Sequence, residues 1–194
     1  GATLASLAGP ASGPLHEQTA PLTFAVLLLS RSFAAYWLHR LFHVVPLLWR
    51  IHRVHHSDDA IDTSTGLRNH PFEMLAAAAL GAGLTLLLGA PVMVVAAVDA
   101  VLFAAALWQH AAIRMSPERA NRLGLLLITP PVHCLHHSLD PADHDRNFGD
   151  FLSLWDRLFG TWRPARSESP AVGLDDAPGA PQSLPDQLAS PFRP

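Results

Sequence analysis

The apolar positions of this chain fall into two long blocks separated by polar, histidine-bearing segments. Pro21 to Leu38 is apolar apart from Arg31 and a few small polar groups. That length suits a short membrane helix, which needs ~20 residues. His39 to His70 is polar and rich in Arg and His. Phe72 to Trp108 is the greasiest block, with Glu73 and Asp99 as its only charges. At 37 residues it is too long for one span, and Gly89-Ala90-Pro91 interrupts it. The pattern predicts two helices, about 74–88 and 91–108, that form a hairpin in the bilayer.

Beyond the hairpin, Leu123 to Ile128 is a short apolar stretch ending near Pro130-Pro131, and a second histidine-rich helix follows. Phe148 to Trp162 mixes aromatic and charged residues and is expected to pack against the histidine-bearing segments. Residues 1–20 are rich in Gly, Pro, Ala and Ser and read as a disordered lead-in. From Pro164 the chain carries seven prolines in 31 residues, so 164–194 is expected to be a disordered tail, leaving 21–163 as one membrane domain. The chain begins with Gly rather than Met and its start lacks signal-peptide features. We therefore expect further sequence, with additional membrane helices, to precede it.

A hairpin brings both of its ends to one side of the membrane. The histidines before it (39–70) and after it (110–137) are thus expected to meet on one face. Arg40, Arg50, Arg53, Arg68, Arg114, Arg119 and Arg122 flank these ends. By the positive-inside tendency that face is cytoplasmic. The expected fold is all-α: an integral membrane helical hairpin with a cytosolic, histidine-rich helical cap.

Composition supports this picture. The chain is 49% hydrophobic and 15% charged, against about 25% charged for soluble domains. A net charge of −3 gives no indication of nucleic-acid binding. Cys134 is the sole cysteine, which excludes an intrachain disulfide and a cysteine-based metal site.

The outlier is histidine, with 12 residues. Three clusters stand out: His39-Arg-Leu-Phe-His43, His52-Arg-Val-His55-His56 and His133-Cys-Leu-His136-His137. On a helix, positions i, i+3 and i+4 share a face, so the rings of each cluster are expected to point together. His70 and His110 stand at the two ends of the hairpin. Neutral imidazole is a good ligand for Fe, Zn, Cu and Ni. Eight to ten imidazoles are too many for one ion and suit two. Each HxxHH can serve both ions. Neutral ligands leave a metal pair most of its positive charge, which favours binding of oxygen species over a closed structural zinc site.

A lone histidine is usually a surface or capping residue. His70 is therefore read either as a ligand or metal-orienting group, or as a simple helix-start residue. His110 is read as a ligand. His144, in the charged run Asp143–Arg146, reads as solvated, and His16 lies in the lead-in. Asp99 falls ~13 Å along its helix from the hairpin break, near mid-bilayer. It is either functional or a hydrogen-bonded group joining helices. Cys134 lies off the histidine face and reads as packing. The residues give no catalytic group beyond the metal ligands, and no HExxH is present.

The ordered segments resemble the sterol desaturase / fatty acid hydroxylase superfamily from about Tyr36 to Trp162. The segments that carry the likeness are Tyr36–His43, Leu48–Ser57, Leu67–Pro71, Gln109–Ile113, Thr129–Ser138, Asn147–Gly149 and Leu154–Thr161. The resemblance implies a helical membrane domain whose cap holds two iron ions. It implies O2 as co-substrate and two electrons from a redox partner, a small cytochrome or a ferredoxin with its reductase. The product implied is a hydroxylated or desaturated lipid: fatty acyl chain, sterol or related terpenoid. By position His39, His43, His52, His55, His56, His133, His136 and His137 fall on the family's ligand motifs. His110 matches its isolated histidine, and His70 matches less securely. Competing readings are a membrane haem protein that carries electrons, which would leave the HxxHH doublets unexplained, and a metal transporter, which would need ligands inside the spans.

Overall fold

A computed structural model describes residues 13–175 and 183–193. Helix α1 runs Ala20–Val44, with Pro21 in its first turn. Val45 is extended, and Pro46 starts the short helix α2 (Pro46–His52). A proline cannot donate to the preceding turn, so the chain bends there and begins afresh. After 3-10 turns at His55–Ser57 and Thr63–Leu67, the hairpin follows as α3 (Pro71–Leu88) and α4 (Val92–Gln109). The break lies where the Gly-Ala-Pro signal sits. Gly89 caps α3 at φ 70°, a left-handed conformation that glycine adopts without a Cβ penalty. Among the described residues, α1, α3 and α4 are the three helices long and apolar enough to cross a membrane.

Side chains on these helices behave as that reading requires. Leu86, Leu87 and Met93 are 65%, 71% and 72% exposed, which only a hydrocarbon environment rewards. The helices meet near the hairpin turn through Leu27, Ala90, Val94 and Val98, all buried. Midway along the bundle, Arg31 of α1 pairs with Asp99 of α4. Gly81 of α3 makes room for this pair, because a Cβ there would come within 2.5 Å of the Arg31 guanidinium. Asp99 is thus a charge-paired group that joins helices, and Arg31 is the counter-charge that the sequence pattern left unpaired.

The remaining elements form a cap over one end of the bundle: α5 (Pro117–Leu123), α6 (Pro130–His136), α7 (Pro141–His144) and α8 (Leu154–Leu158). No strand occurs among the described residues, only isolated bridges at Leu127–Leu152 and Ser138–Val172. The proline-rich segment after Pro164, expected to be disordered, is docked where it is described. Asn121 exchanges two hydrogen bonds with Ala165, and Leu139 N–H donates to Ala171 O. Helix α9 (Leu184–Ala189) and the turn Ser190–Phe192 lie over the start of α3. Phe192 packs on His70 and Phe72 there. The partners of these residues lie far from the segment in sequence, which is why composition did not reveal the contacts. Residues 1–12 of the expected lead-in lie outside the described residues. From Gly13 the chain turns against Leu88, whose carbonyl accepts from Leu15 N–H at 2.9 Å.

Candidate metal centre

Helix α1 carries His39 and His43 on its last turns, so the rings project beyond the bundle into the cap. Helix α2 delivers His52 at its end, and the 3-10 turn that follows delivers His55 and His56. Helix α4 ends at Gln109, with His110 as its C-cap. Helix α6 supplies His133 and His136, and His137 caps it. Nine of the ten candidate histidines converge, in two adjoining groups. One comprises His39, His43, His52, His56 and His136, the other His55, His110, His133 and His137. In each group the candidate ligand atoms lie within 4.8 Å of one another. The groups share a wall where His56 stacks on His137 at 4.4 Å between ring centres.

Outer partners fix the tautomers. The Nδ1–H of His39 donates to Phe148 O at 2.9 Å, that of His136 to Arg146 O at 2.8 Å and that of His110 to Ala106 O at 2.7 Å. His55 Nδ1–H donates to Arg68 O at 3.2 Å. Two carboxylates complete the set: Glu73 accepts from His52 Nδ1–H at 2.9 Å, and Asp145 from His43 Nδ1–H at 3.2 Å. With the proton on Nδ1, each Nε2 presents a lone pair. Yet His39 Nε2 faces His52 Nε2 at 3.0 Å, and His55 Nε2 faces His110 Nε2 at 3.1 Å. Two lone pairs at that separation repel unless a cation lies between them. His133 Nε2 continues the second group at 2.9 Å from His110 Nε2 and 3.2 Å from His137 Nε2.

Buried atoms left without partners point the same way. Nε2 of His43, His56 and His136 have none, and neither does Glu73 Oε2. Orphaned buried polar atoms are costly and call for an explanation. The donor set fits a metal pair. A six-coordinate ion with M–N near ~2.1 Å has adjacent nitrogens ~3.0 Å apart, and a tetrahedral one ~3.4 Å. The Nε2 separations match the former.

Burial also keeps the rings neutral. It holds His55, His56, His133, His136 and His137 well below the ordinary imidazole value, and crowding by neighbouring rings adds to the effect. Burial takes His110 down to about 4. A neutral imidazole is the form that ligates.

His70 is in neither group. Its Nδ1 accepts from Phe72 N–H at 3.3 Å as the N-cap of α3, and its Nε2 donates to Leu188 O at 3.3 Å. Pro71 at the first helical position fixes the chain direction so that the ring turns back on its own helix. Of the two readings open for His70, the structure takes the helix start. His144, read as solvated, is half-buried, with its ring 4.9 Å from those of His43 and Trp49. With His43 and Asp145 it makes a third, smaller grouping at the rim of the first.

Spacing alone missed the outer partners. Glu73 is the one acid at the start of the greasy block, and its distance from His52 in sequence hides the contact. The conspicuous run Asn147-Phe-Gly149 presents Phe148 O to His39. Asn147 sits at φ 54°, and its amide donates to Val132 O and Arg163 O. Asp156 accepts from the N–H of Phe148 and of Gly149, both at 2.8 Å, and from Thr161 Oγ1 at 2.7 Å. Thr161 in turn meets the Tyr36 hydroxyl at 3.0 Å, which ties the cap to α1.

The fatty acid hydroxylase family model matches residues 24–161, most of the chain and every converging histidine. The chain belongs to the fatty acid hydroxylase family. It is 35% identical over 175 residues to an ornithine lipid hydroxylase, OlsE, of Rhizobium tropici, covering 89% of this chain and 51% of that protein. It is 32% identical over 152 residues to the alkylglycerol monooxygenase of Danio rerio and 31% over 157 residues to that of Homo sapiens. Those matches cover 78% and 79% of this chain and 33% of each relative. The chain therefore spans about half the length of the first of these relatives and a third of the other two. No solved structure matches it.

Proposed function

We propose that this chain forms the core of a membrane-bound di-iron oxygenase that hydroxylates a C–H bond of a membrane lipid. The observation that carries the reading is the pair of adjoining all-imidazole groups, buried, with Nε2 lone pairs directed inward. Imidazole suits iron, and the relatives named above are lipid hydroxylases or monooxygenases. Hydroxylation balances as RH + O2 + 2e⁻ + 2H⁺ → ROH + H2O, with the electrons from an external redox partner. A bound iron pair supplies O2 activation. The porphyrin alternative is disfavoured because nitrogens 2.9–3.2 Å apart leave no room for a ring plane between them. A transporter is disfavoured because Asp99, the acid midway along the spans, is engaged by Arg31.

The protein's own residues bind, orient and exclude water. His39, His43, His52, His56 and His136 would hold one ion, and His55, His110, His133 and His137 the other. Glu73, Asp145 and the carbonyls of Arg68, Ala106, Arg146 and Phe148 orient the rings. Phe148 packs against His39, His43 and His136 and keeps that side dry. An apolar cavity of about 720 Å³ runs along α1, lined by Leu29, Phe33, Trp37, Leu41, Leu84 and Trp155. It reaches the level of His39 and His43 through Trp37 and Leu41, which suits an alkyl chain entering from the side. The arginine-rich flanks favour a cytoplasmic metal face.

The test is expression with iron, then metal analysis and lipid profiling under ¹⁸O2. The native chain is expected to carry two irons and to yield a lipid with one ¹⁸O. His136→Ala is expected to lose iron and labelled product. Leu84→Trp, which fills the cavity, is expected to keep iron while losing product. Full labelled product from His136→Ala would overturn the proposal.

A further inference from the structure

The cap carries an apolar surface that the metal centre does not use. Leu125, Leu126 and Leu158 are 62%, 72% and 65% exposed, and Leu123 and Leu154 nearly half exposed. They belong to two segments joined side by side. Ser153 N–H donates to Leu126 O at 3.0 Å, and Ile128 N–H to Phe151 O at 2.9 Å, around the Leu127–Leu152 bridge. Five large leucines on one corner make a patch that water does not favour.

The depth of this corner decides what covers it. Trp155, in α8, donates its indole N–H to Ser32 Oγ at 3.0 Å and packs edge-on against Phe33 at 5.0 Å. Ser32 lies seven residues before His39 on α1, so ~10 Å from the metal end of that helix by its rise. Its neighbour Arg31 pairs with Asp99, which lies ten residues before the end of α4, ~15 Å down. Helix α8 is therefore tethered beside the middle of the apolar bundle, well below the metal centre. Asp150 of the same segment lines a small cavity with Ala34 and Ala35 of α1 and Leu102 of α4, so the segment reaches the groove between these helices.

We infer that Leu123–Leu126 and α8 form a foot that enters the hydrocarbon of the leaflet on the metal-centre side without crossing the bilayer. This rests on the membrane reading above and adds to it a second kind of lipid contact. The polar groups of the foot are arranged for such a place. Irregular backbone is tolerated at membrane depth only where its N–H and C=O groups are satisfied internally. The N–H groups of Leu125, Leu126 and Leu127 donate to Arg122 O, Leu123 O and Leu123 O, and those of Arg157 and Phe159 to Ser153 O and Trp155 O. The Arg157 guanidinium turns back to Gly124 O at 2.8 Å and lies over Trp162. Asp156 is buried and fully engaged. Apart from Arg157, held as described, the large side chains that face outward from the foot are these leucines.

The test is photolabelling of the full chain in phosphatidylcholine–phosphatidylglycerol vesicles doped with a phospholipid bearing a diazirine in its acyl chain, followed by peptide mapping. The Leu86–Met93 region reports on membrane insertion, and Pro141–Arg146 on the aqueous side of the cap. Adducts on Leu125, Leu126, Leu154 and Leu158 are expected at yields within about threefold of Leu86–Met93 and at least about tenfold above Pro141–Arg146. Background yield on the foot beside strong labelling of Leu86–Met93 would overturn the foot and leave the membrane reading standing. Background yield at both would overturn the membrane reading and the foot with it.

Discussion

Two carboxylates orient histidines of the same group, and they differ in their access to water. Glu73 accepts from His52 at 2.9 Å with its side chain 14% exposed, whereas Asp145 accepts from His43 at 3.2 Å with its side chain 63% exposed. Each adds negative charge behind an imidazole that would face a bound cation, which makes the ring a stronger donor. Glu73→Gln and Asp145→Asn remove the charge and keep the shape. Loss of such an outer partner costs about 10–100-fold in metal affinity, or roughly 1.4–2.7 kcal/mol. Glu73 sits where the effective dielectric constant is ~20, and Asp145 faces water at ~80, so the second effect is about a quarter of the first. We therefore expect Glu73→Gln to weaken metal retention about 10–100-fold and Asp145→Asn about threefold or less. Anaerobic competition of the iron-loaded protein against a chromophoric chelator measures both. Equal losses in the two variants, or no loss in Glu73→Gln, would refute the argument that burial sets the weight of each partner.

Other consequences are as direct. His70→Ala removes a helix cap, so it is expected to cost about 1 kcal/mol in stability while leaving metal content unchanged, and His70→Asn is expected to restore the stability. Acid should destabilise the metal-free protein. His55, His56, His110, His133, His136 and His137 titrate below their unfolded value of 6.5, so between that pH and the folded value the unfolded chain takes up protons that the folded chain refuses. Stability is complete above pH 6.5 and falls towards pH 4; His110, lowered to about 4, accounts for about 3 kcal/mol of that loss. Thermal melts of chelated protein at pH 8 and pH 5 read it, and equal midpoints would contradict it. Arg31→Leu leaves Asp99 unpaired among apolar helices and is expected to cost about 3 kcal/mol in mixed-micelle unfolding, most of which Arg31→Leu/Asp99→Leu recovers.

Much of the centre was legible because it rests on local periodicity. The HxxxH and HxxHH spacings, the Gly-Ala-Pro break and the return of a hairpin to its starting side all follow from chain geometry. The rest depends on where helices stop and on contacts distant in sequence. His52, His55 and His56 have the spacing of one helical face, yet α2 ends at His52 and a 3-10 turn follows, which swings His55 into the other group. His70 has the company of a ligand, and its place before Pro71 makes it a cap. Arg31 weakens its segment as a span when read alone, and Asp99 removes that objection only once the helices are side by side.

The way the boxes divide explains why the centre needs both flanks of the hairpin. One group takes four rings from before it and His136 from after; the other takes His55 from before and three rings from after. Each group thus contains one ring from the opposite flank. Neither can close until the hairpin has brought the cap segments together, and a metal bound in either pins the two flanks to each other. Metal binding at such a centre is folding free energy of the cap. The prediction that separates this from a preformed cage concerns the two crossing residues. Loss of His136 or His55 should loosen the cap, seen as faster amide exchange across α6 and the 3-10 turn at His55–Ser57. Loss of His39, whose group keeps rings from both flanks, should lower affinity with less effect on exchange. Equal exchange in all three variants would mean that the cap is held by its own packing, through Asp156, Asn147 and Tyr36, and that the histidines are mounted on it afterwards.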